Sequence, residues 1–553
     1  ALGDTALGTC TTGANNTAVG KSALAASTTA SNNTAVGYLT MSALTTGTAN
    51  VAVGAYAMDA HTDGNYNTAL GNNALGANTT GTGSVAVGTF TLAANTTTGS
   101  HVAVGYAALE ANTTGTNNTA VGYAALRANT TGTDNVSMGV NSLLLNTTGT
   151  KNVAVGSGAL TDNTTGSYNI AIGENSLADN TTADYNIAMG MDALRANTTG
   201  NYNTAIGEGA CAASTTTSGN TGVGHRALYD NTGTENTALG GYAGQNISTG
   251  DYNCAMGYTS MNNLTTGSHN TGLGFQADHN STTADYNTAI GSNALFTNTT
   301  GGSNVAVGYK AGYSNSTAAQ NTYIGYRAGR DANASDNTYV GFDAGYRATG
   351  ASNTALGHRT MDASSCAGSN NTAIGREALG KLTTGANNTA LGYFAGSETL
   401  GGDNNLTLGY AAYPSGSGSS NEVTLGNGSI SAIRCQVQSI SSLSDERDKT
   451  DIVDLPVGLD FVNKLRPVKF KWDMRDAESD NPHQGTERGG FIAQELQVVQ
   501  EETDAAFMNL VYESNPDKLE ATYGNLIPTM VQAIKELSAE NNALKARLDA
   551  AGL

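Results

Sequence analysis

Ser444 and Lys449 lie close together in the stretch Ser444-Asp445-Glu446-Arg447-Asp448-Lys449. A serine hydroxyl attacks a carbonyl only when a base takes its proton, and a lysine can be that base only as the neutral amine, a form that burial in a dry pocket favours. One turn at the start of a strand or helix is enough to bring the two side chains together. The same residues also admit a structural reading, with Ser444 capping a helix and Lys449 a solvated charge.

What lies downstream decides between these readings. Leu465-Arg466-Pro467-Val468-Lys469-Phe470-Lys471-Trp472 is followed by Gly490-Phe491-Ile492-Ala493-Gln494-Glu495-Leu496. Then come Tyr523-Gly524-Asn525-Leu526-Ile527-Pro528 and Ala533-Ile534-Lys535-Glu536-Leu537. In order and spacing these motifs resemble the intramolecular chaperone domain of phage tail spikes and fibres, the endosialidase-type S74 self-cleaving family, over 444–553 with a lead-in from about Asn421. The resemblance implies autoproteolysis between Leu443 and Ser444, with Ser444 as nucleophile and Lys449 as its base. It also implies a homotrimer, a chain whose folding is templated by this domain, and release of the domain after the cut. Relatives often carry a histidine just before Gly-Phe-Ile-Ala-Gln, whereas this chain has Arg488-Gly489, and His483 lies in a polar segment nearby.

Composition sets the rest of the chain apart. Of 553 residues, 70 are Gly, 6 Pro and 1 Trp, and only 13% are charged. So many small residues on a fixed beat indicate repetitive β structure. The formal charge of −20 argues against nucleic acid, which needs basic patches. No run of 18 apolar residues is present, so no membrane insertion is expected. Cys10, Cys211, Cys254, Cys366 and Cys435 are scattered without a CxxC pair, and neither a metal, a cofactor nor a disulfide framework is expected.

The beat is the phrase Asn-Thr-Ala-Val-Gly. Its glycine recurs every 17 residues from Gly20 to Gly224 and, with single-residue slips, on to Gly426, giving 25 coils. At a strand spacing near 4.8 Å this predicts a stack of roughly 120 Å. The residue before the glycine is Val, Ile, Leu or Met in all 25 coils, and Asn stands four before it in 22. Alternation places Ala and Asn on one face and the aliphatic residue with Thr or Val on the other. Ala-Leu or Ala-Gly three and four residues after the glycine reads as a second short strand, followed by an Asn-Thr-Thr-Gly turn. Each coil would then have two strands and two turns, with an outward apolar stripe that a soluble monomer seldom tolerates. The expected fold is mainly β, a repetitive parallel β-roll or solenoid, trimeric, followed by a small α+β chaperone domain ending in a coiled-coil helix. The rod resembles the left-handed parallel β-roll heads of trimeric adhesins, whose coils have about 14 residues.

Aromatic residues recur in register. Tyr168, Tyr185 and Tyr202 share one slot in consecutive coils, and Tyr252, His269 and Tyr286 share it again. Such columns stabilise a ladder. They are also the candidate glycan-binding stripe (Tyr168, Tyr185, Tyr202, Tyr252, Tyr286), because flat aromatic faces suit pyranose rings. Tyrosines directly after the glycine, such as Tyr106, Tyr123 and Tyr258, read as packing residues. The Asn column predicts an amide ladder.

The domain reading is a repeat rod over 1–426, a connector strand over 427–443 and the S74-type domain over 444–553. Ile527, Met530, Ile534, Leu537, Asn541, Leu544, Leu548 and Ala551 keep a 3-4 spacing, which predicts a coiled coil over about 526–551. By resemblance the protein is a virion tail fibre or spike, made in the host cytoplasm and extracellular when mature. Its expected partners are copies of itself, a host cell-surface glycan or other receptor, and other tail proteins reached through a region upstream of Ala1. The competing readings are a bacterial trimeric surface adhesin and a structural spacer with an uncleaved trimerisation cap.

Overall fold

The structure is a computed structural model that describes residues 1–363, 365–430, 433, 444–473, 485–513 and 519–552. Contacts divide it into two compact units, Ala1–Asn337 and Thr338–Leu553.

The first unit is a parallel solenoid. Its three-residue strands run from β1 (Thr17–Val19) to β19 (Thr322–Ile324), one per coil. Pairing is parallel and in register with the repeat: Thr17, Ala18 and Val19 face Thr34, Ala35 and Val36. The coil built on Thr119–Val121 shows why the phrase folds this way. Ala120 points inward and is fully buried, while Thr119 and Val121 flank it on the outer face. Asn118, also buried, donates from Nδ2 to the Gly132 carbonyl at 2.8 Å across its own coil. Its Oδ1 accepts the Asn135 backbone N–H of the next coil at 3.0 Å. One side chain thus pairs a buried N–H of the next coil and adds a bond to a carbonyl of its own.

After the strand the expectation of a second short strand is not met. Gly122 turns the chain at φ 144°, and a Cβ there would sit 2.3 Å from the Gly139 carbonyl oxygen, so the site requires glycine. Ala124 and Leu126 then adopt left-handed conformations, both at φ 53°. Such residues cost about 1 kcal/mol or more each. The conformation is held because it aims N–H groups along the stack. Ala124 N–H bonds back to Tyr106 O at 2.9 Å, and Leu126 N–H bonds forward to Ser142 O at 3.0 Å. Leu126 is the buried counterpart of Ala120, and these two columns form the core together with that of Ala125. The coil therefore has one strand and a stepped, left-handed corner.

The second half of the coil holds another ladder. Asn129 donates from Nδ2 to Asn112 Oδ1 at 2.7 Å and to Gly132 O at 3.0 Å. The Thr130 hydroxyl donates to Thr147 O at 3.0 Å. The Asn-Thr-Thr-Gly segment, read from sequence as a turn, is also a buried amide column.

The aliphatic residues before the glycines lie on the outer face of the chain, half-buried or exposed, as at Leu239 with 50% of its surface free. The aromatic residues after the glycines lie on the surface too and stack on one another: Tyr106 and Tyr123 have centroids 5.4 Å apart and planes 11° apart. They pack, but outside the core.

The second unit opens with six further coils, β20 (Thr338–Val340) to β25 (Val423–Leu425). A small α+β region follows. It contains α1 (Leu459–Lys464), the antiparallel pair β26 (Val468–Lys471) and β27 (Glu487–Gly490), and α2 (Ala493–Glu502). The short pair β28 (Val511–Tyr512) and β29 (Glu520–Ala521) and the long α3 (Ile527–Ala550) complete it. Val457, Phe461, Ala505, Met508, Leu510 and Leu526 form its core. Thr529 and Ala533 are the buried residues of α3, and its Glu536 carboxylate accepts the Leu459 N–H at 2.6 Å. Ile527, Met530, Ile534, Leu537, Leu544 and Leu548 are all exposed, so the heptad seam is a surface of the single chain. No helix of the described residues is long and apolar enough to cross a membrane.

Candidate active site

Ser444 precedes a single turn of 3-10 helix, Glu446–Asp448. The residue that caps this turn is Asp445, not Ser444. Its Oδ1 accepts the Arg447 backbone N–H at 2.9 Å, and its carboxylate also holds the Arg447 guanidinium, with Oδ1 3.0 Å from Nε. Both bonds keep the Asp445 carboxyl below its ordinary range, the Arg447 side chain contributing most. The turn closes with Lys449 N–H bonded to Glu446 O at 3.1 Å. This folds the lysine back over the start of the segment. Lys449 Nζ lies 2.6 Å from Ser444 Oγ and 3.3 Å from the Ser444 carbonyl oxygen.

The pair named from sequence is therefore brought together within hydrogen-bond distance. Its surroundings differ from the dry pocket that a neutral lysine calls for: both residues are exposed in the single chain. Leu443, on the other side of the expected cut, lies outside the described residues, as do most of the connector expected over 427–443, Cys435 and His483. Arg488 and Gly489 are on β27 against β26. Asp445 is the residue the sequence reading passed over. An aspartate at the N-cap of a turn two residues before an arginine was the available signal.

Further along the C-terminal region, Arg466 and Glu495 form an ion pair between the segment before β26 and α2. The Tyr523 hydroxyl accepts the Phe491 N–H at 3.1 Å. These contacts tie the motifs Leu465–Trp472, Gly490–Leu496 and Tyr523–Pro528 into one small domain.

The tyrosine columns are also in register. Tyr168 and Tyr185 stack at 4.9 Å, Tyr185 and Tyr202 at 5.3 Å. Tyr252 stacks on His269 at 5.0 Å and His269 on Tyr286 at 5.1 Å. All occupy the left-handed corner before the strand, with φ between 59° and 61° for the five tyrosines. In the middle of a stack both ring faces are covered by neighbours, so only the terminal rings keep an open face.

Residues 444–504 match the family model Peptidase_S74, chaperone of endosialidase, and the match begins at Ser444 itself. No curated protein and no solved structure matches the chain. The likeness of the rod to adhesin heads accordingly rests on the repeat alone. Behind a parallel β-solenoid, the chain thus carries a C-terminal segment that matches the peptidase S74 family model, the chaperone of endosialidase.

Proposed function

We propose that the protein is a trimeric phage tail fibre or spike that attaches to a host surface, and that its C-terminal domain frees itself by cutting between Leu443 and Ser444. The carrying observation is the 2.6 Å contact between Ser444 Oγ and Lys449 Nζ at the first residue of the family match. In this reading Lys449, as the free amine, takes the Ser444 hydroxyl proton. Oγ attacks the Leu443 carbonyl carbon, the C–N bond to Ser444 breaks, and the proton passes to the departing amine. The resulting ester is hydrolysed by water, leaving a Leu443 carboxylate and the Ser444 hydroxyl. Because the pair is exposed in one chain, burial of the lysine falls to neighbouring chains, and cleavage follows assembly.

Two exposed apolar surfaces support the trimer: the aliphatic column of the solenoid and the heptad seam of α3. Chains built from one repeated phrase are prone to register slips, since neighbouring coils look alike. A C-terminal clamp aligns them, and its removal makes the folded rod kinetically stable. The test is intact mass and a denaturing gel of wild type beside Ser444→Ala. The reading expects a 443-residue rod and a 110-residue tail from wild type and a whole chain from the variant. If both stay whole, the domain is an uncleaved trimerisation cap and the catalytic assignment fails.

A further inference from the structure

The corner that holds the tyrosine columns continues through the first unit as a slot with one residue per coil. At two places a tyrosine is followed by glycine in the next coil: Tyr66 by Gly83 and Tyr202 by Gly219. These are the two most exposed tyrosines of the described residues, at 71% and 65%. Inside the stacks the next layer is another ring about 5 Å away, and beyond Tyr286 it is the side-chain-bearing Ser303. Over Gly83 that layer is empty, and a Cβ built there would meet no atom within 4 Å. Over Gly219 the nearest atom to such a Cβ is Glu235 Cγ at 3.2 Å. The other end of the Tyr202 stack is closed, because Lys151 Nζ sits 4.9 Å from the Tyr168 centroid. The rung beyond each vacancy, Ser100 or Glu235, carries an oxygen able to accept from a hydroxyl.

We propose that the open faces of Tyr66 and Tyr202, above the side-chain-free rungs Gly83 and Gly219, each bind one neutral hexopyranose ring. This deepens the surface-attachment reading by naming a ligand class and a place. A pyranose is flat enough to enter as the missing layer of the stack, with its C–H face on the negative face of the tyrosine. Its rim hydroxyls donate to Ser100 or Glu235. The carboxylate of Glu235 and the net charge of −20 select against sialic and uronic acids. The two positions are eight coils apart, roughly 38 Å at the usual strand spacing, so a polymeric glycan can reach both and gain avidity.

The test titrates the full-length protein with gluco-, galacto- and manno-configured neutral oligosaccharides, and with matched uronic-acid and sialylated ones, by calorimetry and saturation-transfer NMR. Saturable binding of at least one neutral probe is expected. Tyr66→Ala with Tyr202→Ala should weaken it by about tenfold or more. Gly83→Tyr with Gly219→Tyr, which fills the open layer over Gly83 directly and the one over Gly219 once the Glu235 side chain moves aside, should weaken it equally while keeping both original rings. Absence of neutral-sugar binding, preference for the acidic probes, or unchanged binding in either double variant overturns the proposal. Cleavage at Ser444, read on a gel of the same samples, reports separately on the processing reading.

Discussion

Asp278 stands in the core column that Leu126, Leu160 and Leu295 fill in other coils, and it is fully buried. Its carboxyl accepts from the Ser281 hydroxyl, while Oδ2 has no hydrogen-bond partner and neither does Asn298 Oδ1 beside it. Burial pushes its pKa up from 3.8 to about 6, against the opposing pull of Ser281 and Asn298. The folded state thus holds the proton more tightly than the unfolded chain. Its contribution to stability is most favourable below pH 3.8 and is lost as pH rises through about 6. A shift of this size corresponds to about 3 kcal/mol across that window. Asp278→Asn keeps the volume and removes the titration. It should stabilise the first unit by about 2 to 3 kcal/mol near pH 8 relative to its effect near pH 4. The assay is denaturant unfolding of both proteins at the two pH values, comparing unfolding rates if refolding fails. Asp59, Asp162 and Asp362 are also raised by burial, but they cancel in the difference between variants. If the wild type and Asp278→Asn show the same pH dependence, the buried-acid argument is wrong.

Three further outcomes follow from the same geometry. Lys449→Arg keeps a cation beside Ser444 but removes the base, so the chain should stay whole in the gel assay that reads wild-type cleavage. Asn152→Ala strands the Asn169 N–H, which the Asn152 Oδ1 accepts at 2.9 Å, and leaves the Gly166 carbonyl with its Asn163 bond alone. It should cost about 1 to 3 kcal/mol in an unfolding titration, and a loss below half a kilocalorie would refute the ladder's role. Tyr323 fills the core where other coils have alanine, and Cβ atoms at Gly312 and Gly329 would meet its ring at 2.6 Å and 2.3 Å. Gly329→Leu alone should therefore unfold the region, and the triple change Tyr323→Ala, Gly312→Leu, Gly329→Leu should restore it, as seen in melting temperature.

Much of the solenoid was legible because the strand phrase is strict. A small residue inward, an aliphatic outward and an asparagine at fixed distance leave few ways to fold. Ala-Leu after the glycine misled because apolar residues at that spacing look like a strand. Nothing in the residue types announces that Ala124 and Leu126 adopt left-handed conformations, since inter-coil hydrogen bonds, not propensity, impose them. Asn129 reads equally well as a turn residue or a ladder member, and only the stacking distance decides. At the candidate active site the spacing of Ser444 and Lys449 was sufficient to place them together. Exposure depends on what surrounds the pair, and a spacing carries no information about that. Asp445 was missed because charged neighbours of a candidate dyad read as solvated until the turn they cap is visible.

The register of the strands has a consequence for how such a chain changes over generations. Every lateral bond of a coil goes to the coil before or after it. Where the repeat slips, the strands still align: Thr221 faces Thr237 across one residue fewer, and Thr354 faces Thr372 across one more. Outer corners absorb the difference while the strand rungs stay matched. Unequal recombination between two copies of the repeat would then add or delete whole coils in frame without creating a new junction. Rod length is a quantity that heredity can count up or down one rung at a time, whereas the thickness of the rod is fixed by the phrase.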